Sequence, residues 1–240
     1  MAGHIEELSP GIYRIDAIRF ANAINVLAIS GEDGWTLVDT GLAGSPARIQ
    51  AALAALGLGP PALARIYLTH HHQDHVAGLP GMRAWAPGAE IVAPEHDGDI
   101  IAGTRPPDSS SSRLFRLTQR WARLPVVPVS RQVREGDRIA GLRVIATPGH
   151  SAGHTSLIAD EAGVLFTADA FGAMPRKLRV GVRKPFCADP VQALASAEKL
   201  LEEDYRTVVF SHGPVLREGA RDRLRKVVAA CPYAEPPGRG

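Results

Sequence analysis

Residues 70–75 read His-His-His-Gln-Asp-His, so five of six consecutive side chains can ligate a metal. They follow an apolar run, Ile66 to Leu68. Imidazoles and a carboxylate crowded at such a place are costly to take out of water unless something charged binds them. A divalent metal is the usual partner. Three further ligand-type residues lie downstream: His150 in Thr147-Pro148-Gly149-His150, then Asp169, then His212. Each follows a stretch that reads as a strand: Leu142 to Ala146, Val164 to Thr167 and Thr207 to Phe210. Strands that end in ligands are how a rigid scaffold aims loop residues into one site. A random scatter of nine histidines seldom produces that arrangement.

The remaining elements are those needed to hold these loops. Ile12 to Ile15, Ile24 to Ser30 and Trp35 to Asp39 read as strands, the last two joined by the turn Gly31-Glu32-Asp33-Gly34. Ser45 is the expected N-cap of a helix with Pro46 at its first position, carrying Ile49, Leu53 and Leu56 on one face and stopping at Gly57. Arg65 to Leu68 is a short buried strand. Glu90 to Ala93 is another, followed by a helix near Glu95 to Ala102. Thr104 to Ser112, with two prolines and four serines, reads as a linker. It leads into a helical stripe of Leu114, Leu117, Trp121 and Leu124. Thr155 to Asp160 is a further strand. Asp189-Pro190 opens a helix through Leu201, and Gly219 to Ala229 is the last helix. Strands and helices in this order favour two sheets with helices outside, an α/β sandwich. One domain over residues 1–240 is expected, with residues 104–124 as a candidate lid.

Composition narrows the function class. The chain is 45% hydrophobic and 22% charged, enough for a sizeable core. A net charge of +2 and 5% aromatic residues give no support to a nucleic-acid partner. Two cysteines, Cys187 and Cys231, make no disulfide framework. The polar N-terminus carries Glu6 and Glu7, and no apolar stretch approaches 18 residues, so neither a leader nor a membrane span is expected. The expectation is a cytoplasmic enzyme acting on a small molecule; oligomeric state is not readable.

The ligand pattern resembles that of the metallo-β-lactamase superfamily: His-x-His-x-Asp-His, then a lone His, an Asp and a final His. It matches as His70, His72, Asp74, His75, His150, Asp169 and His212. Leu37-Val38-Asp39-Thr40-Gly41 resembles the family's early strand-end motif, and the resemblance spans roughly residues 11 to 230. It implies an αββα sandwich with metals at one edge. By position, His70, His72 and His150 would hold one metal, Asp74, His75 and His212 a second, and Asp169 would bridge them. Two divalent cations are implied, zinc first, with iron or manganese as alternatives. A hydroxide shared by metals about 3.5–4 Å apart is a nucleophile near neutral pH. Asp74 is the candidate catalytic residue, orienting that hydroxide.

Departures from the family choose among its activities. Asp169 stands where lactamases of the family carry Cys or Ser. Ala170-Phe171-Gly172-Ala173 offers no tyrosine of the kind that quorum-signal lactonases place after the bridging Asp. The chain is too short for the C-terminal glutathione-binding domain of glyoxalase II. What remains is a glyoxalase II-like hydrolase of an activated acyl bond, thioester or lactone. A mononuclear-iron persulfide dioxygenase, a phosphodiesterase and a β-lactam hydrolase are the alternatives. Secondary expectations concern the neighbours. His71 takes a supporting or surface position. His154 either orients a ligand or is a packed structural histidine. His4 and His96 are solvated, Asp39 either bonds near the metal loop, as the family motif suggests, or caps a turn, and Cys187 is a packed thiol. The basic run Arg176, Lys177, Arg179, Arg183 and Lys184 either binds an anionic substrate group or forms a solvated loop.

Overall fold

The structure, a computed structural model, describes residues 3–109, 124–173 and 177–233. Alternation along its strands decides the architecture. In β3 (Asn25–Gly31), Val26 and Ala28 enter one apolar cluster and Leu27 and Ile29 another, and all four are buried. A strand buried on both faces needs a layer on each side. β3 joins β1 (Ile5–Ser9), β2 (Ile12–Asp16), β4 (Gly34–Val38), β5 (Leu63–Tyr67), β6 (Glu90–Pro94) and β7 (Arg131–Val133) in a seven-stranded sheet, in chain order. Pairing is antiparallel from β1 to β4 and parallel from β4 to β7. The second sheet contains β8 (Arg138–Ile139), β9 (Leu142–Ala146), β10 (Thr155–Ala159), β11 (Val164–Phe166) and β14 (Thr207–Val209), in the order β14-β11-β10-β9-β8. A hairpin of β12 (Phe171–Ala173) and β13 (Leu178–Val180) stands apart.

Three apolar layers result. Leu37 and Ile66 pack with Ile49 and Leu53 of α1 (Pro46–Ala55) and with Met82 of α3 (Leu79–Trp85). Between the sheets, Val38, Tyr67 and Val92 meet Val144, Leu157 and Phe166. On the far side, Ile158, Leu165 and Val208 pack with Ala197 and Leu200 of α5 (Pro190–Leu201) and Leu224 of α6 (Ala220–Ala229). Each such large apolar side chain contributes about 1.5–3 kcal/mol on burial. The expected αββα sandwich is what these layers form. Among the described residues, no helix is long and apolar enough to cross a membrane.

Parallel pairing brings C-terminal strand ends to a common edge, where the ligand loops begin. β4 and β5 end at Asp39 and before His70, while β11 and β14, also parallel, end before Asp169 and His212. The last residue of β9, Ala146, pairs with Thr155 at the start of β10, so His150 sits in the loop between them. The sheets are tied at this edge by the Tyr67 hydroxyl against Thr155 Oγ1 (2.9 Å) and by Asn25 N–H donating to the Ser211 carbonyl (2.8 Å). Arg14, 2% exposed, donates to Glu6, Asp16, Asn22 and Asn25. Asn25 Nδ2 in turn donates to the carbonyls of Phe210 and Gly213, on either side of the His212 loop.

Local readings hold in some places and fail in others. Asp189 caps its helix as expected, accepting from the Val191 and Gln192 N–H groups at 3.0 Å. Ser45 does not cap: it has helical dihedrals, and its hydroxyl accepts from Leu42 N–H at 3.0 Å because the chain turns tightly before it. Strands β1, β7 and β8, the β12–β13 hairpin, α2 (Gln73–Val76) and α3 carry no sustained apolar run or periodic stripe that sets them apart in the sequence. The stripe Leu114 to Trp121 lies outside the described residues; Leu124, its last member, packs on the first apolar layer.

Candidate metal centre

The structure brings all seven candidate ligands together. Ligand atoms of His70, His72 and His150 lie within 4.8 Å of one another, as do those of His70, His75 and Asp169, and those of Asp74, His75 and His212. Asp169 is central. Its Oδ2 is 3.2 Å from His150 Nε2, 3.5 Å from His212 Nε2 and 3.6 Å from His75 Nε2. Ala168, immediately before it, has φ +45°, a left-handed conformation uncommon for a non-glycine residue. Asp39, at the end of β4, is likewise left-handed at +62°.

Hydrogen bonds orient the rings of His70, His75 and His212. Thr69 Oγ1 donates to Asp39 Oδ2 (2.9 Å), so it accepts from His70 Nδ1–H (3.0 Å) and leaves the His70 Nε2 lone pair free. His75 Nδ1 donates to Asp39 Oδ2 (2.8 Å), and His212 Nδ1 to the Ala23 carbonyl (2.6 Å). Fixing one imidazole nitrogen in this way presents the other to a metal. His72 Nδ1 and His150 Nε2 stand 2.8 Å apart. His70 Nε2, His75 Nε2, His150 Nδ1 and Asp169 Oδ1 are buried without a hydrogen-bond partner. Buried imidazole nitrogens without partners beside buried carboxylates are the donor set a divalent cation requires, His75 once its Nε2 proton is displaced. The residues present therefore fit the metals that the sequence pattern implies. Asp74, 34% exposed against 6% or less for His75, His150, Asp169 and His212, marks the opening to solvent.

The electrostatics point the same way. Burial and then the neighbouring imidazoles hold His70 well below its ordinary range; burial and then His150 do the same for His72. Burial alone would raise the Asp74 and Asp169 carboxyls, but His75 and His212 overcome it and keep both well below the carboxylate range. Burial would lower His75, yet Asp39, Asp169 and Asp74 push it up to about 10, and Asp169 and Asp74 likewise raise His212.

The neighbours resolve as follows. His154 is buried; its Nδ1–H donates to the Thr147 carbonyl (3.1 Å), and its Nε2 accepts from Asp169 N–H (3.1 Å). It thus orients a candidate ligand and is packed as well. His71 is buried against Asp97. His96, expected in solvent, is instead half-buried, with its Nε2 bonded to Asp108 Oδ1 at 2.8 Å, because the chain after α4 (Glu95–Ile101) folds back over it. His4 is exposed and Cys187 is a buried thiol, both as expected. Lys177 and Arg183 are exposed, on and just after the β12–β13 hairpin, which Ala173 N–H ties to the His212 carbonyl (2.6 Å). Arg176 lies outside the described residues. Sequence reasoning missed Asp97, the Thr69 hydroxyl and the Ala23 carbonyl, since no spacing rule singles out supporting groups.

Comparison with known proteins agrees with this geometry. The model of the metallo-beta-lactamase superfamily matches residues 19–212. The chain is 28% identical over 221 residues to the Bacillus subtilis protein YobT, covering 85% of this chain and 89% of that one. It is 30% identical over 204 residues to the hydroxyacylglutathione hydrolase of Chelativorans sp., covering 83% of this chain but only 65% of that enzyme, just under two thirds of its length. Among solved structures, BJP-1, a subclass B3 metallo-β-lactamase of Bradyrhizobium japonicum, aligns with TM-score 0.68 at 25% identity, covering 95% of this chain and 91% of that one.

Proposed function

The chain belongs to the metallo-β-lactamase superfamily, and on that premise we propose that it is a metal-dependent hydrolase of an activated acyl bond, a thioester or a lactone. The observation that carries this reading is the convergence of five imidazoles and the carboxylates of Asp74 and Asp169 into overlapping three-residue clusters, with His70 Nε2 and His75 Nε2 buried and without a hydrogen-bond partner. The similarity to hydroxyacylglutathione hydrolases favours a thioester within that class. Two divalent cations, zinc first, would be held by His70, His72 and His150 on one side and Asp74, His75 and His212 on the other, with Asp169 between. The chemistry such a pair would supply is activation of water and polarisation of a carbonyl oxygen.

The chain's own residues do the rest. Asp74, partly exposed and 3.0 Å from His212 Nε2, faces the opening and orients the attacking water. Asp39 and the Ala23 carbonyl hold the imidazoles of His75 and His212 in place before substrate arrives. Among the described residues no side chain beyond this set stands ready to protonate a poor leaving group, which suits thiolates and activated alkoxides. Lys177 and Arg183, near the His212 edge, would favour an anionic substrate group.

Zinc-loaded protein assayed against thioesters, lactones and phosphodiesters tests the reading. Turnover of a thioester or lactone is expected, with His70→Ala and Asp169→Ala each losing metal and activity. Efficient phosphodiester cleavage with no acyl turnover would overturn it, as would one iron per chain with oxygen uptake on a persulfide.

A further inference from the structure

Three of the candidate ligands, His70, His72 and His150, flank two residues that are not candidate ligands, His71 and Ser151. Both converge on one atom. Asp97 Oδ1 accepts from His71 N–H (2.8 Å), from His71 Nδ1–H (2.6 Å) and from Ser151 Oγ–H (3.0 Å). We infer that Asp97 is a positioning residue for the three-histidine set: its carboxylate clamps the loop after β5 to the loop after β9 and so sets the spacing of three metal-binding nitrogens. The inference rests on the metal centre proposed above.

The clamp is built into the interior. Asp97 is fully buried on α4, and its second oxygen, Oδ2, has no hydrogen-bond partner. A buried carboxylate with one oxygen triply bonded and the other bare contributes poorly to stability compared with an apolar residue. The His150 loop is moulded to it: a Cβ on Gly153 would stand 2.3 Å from Oδ2. Asp108 adds a second tie to the same loop, accepting from Ala152 N–H (2.7 Å) while bonded to His96. Ligand atoms of His71, Asp97 and Asp108 also lie within 4.8 Å of one another. They do not make a third cation site, because His71 Nδ1–H is committed to Asp97, and the Asp108 oxygens to His96 and Ala152. The other ligand set draws its ties from elsewhere, His75 from Asp39 and His212 from the Ala23 carbonyl. Loss of Asp97 should therefore disturb one set selectively.

The test is an equilibrium zinc titration of metal-free protein against a competing chromophoric chelator. His150→Ala and His212→Ala serve as references that assign each binding phase to its set. Asp97→Asn keeps the size and one acceptor oxygen but removes the charge. It should weaken the phase that His150→Ala abolishes by about 10–100-fold, the range for outer-shell partners of metal ligands, and leave the other phase within about twofold. Ser151→Ala removes one donor and keeps the carboxylate. It should weaken the same phase by about 2–10-fold, as the net loss of one hydrogen bond implies. The melting temperature of each metal-free variant reports its fold, and if Asp97→Asn does not fold, Ser151→Ala decides by the same criterion. Equal weakening of both phases, or no change in either, overturns the inference alone. Wild-type protein that binds a single cation overturns the two-metal reading and the inference with it.

Discussion

Zinc should expel protons from one ligand set in a way the other does not share. In the metal-free chain burial lowers the His75 imidazole, but Asp39, Asp169 and Asp74 push it up to about 10, and Asp169 and Asp74 hold His212 well above its ordinary value. Between pH 7 and 9, His75 thus carries protons on both nitrogens. Nδ1–H points to Asp39, and Nε2–H to the Asp74 and Asp169 carboxylates. A cation needs the Nε2 lone pair, so binding there displaces a proton. Each displaced proton makes apparent affinity rise tenfold per pH unit, about 1.4 kcal/mol. From pH 7 to 9 the Asp74–His75–His212 set should gain about 100-fold, roughly 2.7 kcal/mol, from His75 alone. A proton on His212 that persists across the window would raise the gain to about 10⁴-fold. His70 and His72, held well below their ordinary range, supply no such proton. Calorimetric titrations in buffers of different ionisation enthalpy at pH 7 and 9 count the protons directly. Fewer than one proton released at pH 7, or an affinity flat from pH 7 to 9, would refute the reasoning.

The same shift governs the stability of the metal-free chain. A pKa raised on folding stabilises below the ordinary value, 6.5 for His75, and that contribution disappears as pH climbs through about 10. The lowered Asp74 and Asp169 act oppositely, stabilising above 3.8 and losing that contribution as pH falls below it. Metal-free protein should therefore melt lower at pH 10 than at pH 7. Zinc-loaded protein should not, since the cation stands where the proton did.

Two further perturbations probe the scaffold. Gly149 has φ +126°, and a Cβ there would come within 2.1 Å of the Ala193 backbone nitrogen; Gly149→Ala should cost about 2–4 kcal/mol in denaturant unfolding and weaken the three-histidine zinc phase, whereas an unchanged midpoint would contradict the packing described. Arg14→Met leaves Asp16 without its buried cation and frees Asn25 from one of its ties; a loss of about 3–5 kcal/mol is expected by chemical denaturation, and a loss under about 1 kcal/mol would show that the cluster matters little.

How much of this was legible depends on what kind of signal a residue leaves. The seven candidate ligands are readable because ligand chemistry restricts residue type, and the loops holding them follow apolar strands such as Thr207 to Phe210. The two-layer sheet is readable because Val26, Ala28, Leu27 and Ile29 form an unbroken apolar run, as a strand buried on both faces must. The supporting groups are not readable in that way. Asp97 stands in Glu95-His96-Asp97, which has the composition of an exposed first helical turn, and its burial is decided by His71 and Ser151, 26 and 54 residues away. His96 misleads for the same reason, since Asp108 reaches it only after the chain reverses. The Ser45 hydroxyl has two local partners open to it, and the tight turn at Leu42 wins over the helix end.

The centre is split between the sheets, and the split explains why the supporting bonds matter. His70 to His75 come from the loop after β5 of the seven-stranded sheet, and His150, Asp169 and His212 from loops of the five-stranded one. Neither sheet alone assembles either three-residue set, because each mixes members of both: His70 and His72 with His150, and Asp74 and His75 with His212. Ligand spacing is therefore set by how the sheets dock. The contacts that fix docking at this edge are Tyr67, at the end of β5, to Thr155, at the start of β10, and Asn25 to Ser211, next to His212. Asp97 adds a local clamp, tying the His70–His72 stretch to the His150 loop alone. Metal binding and sheet packing are then one equilibrium. A cation shared by the two loops favours the docked state, and a docked state held by Tyr67 and Asn25 presents the cation with nitrogens already in place.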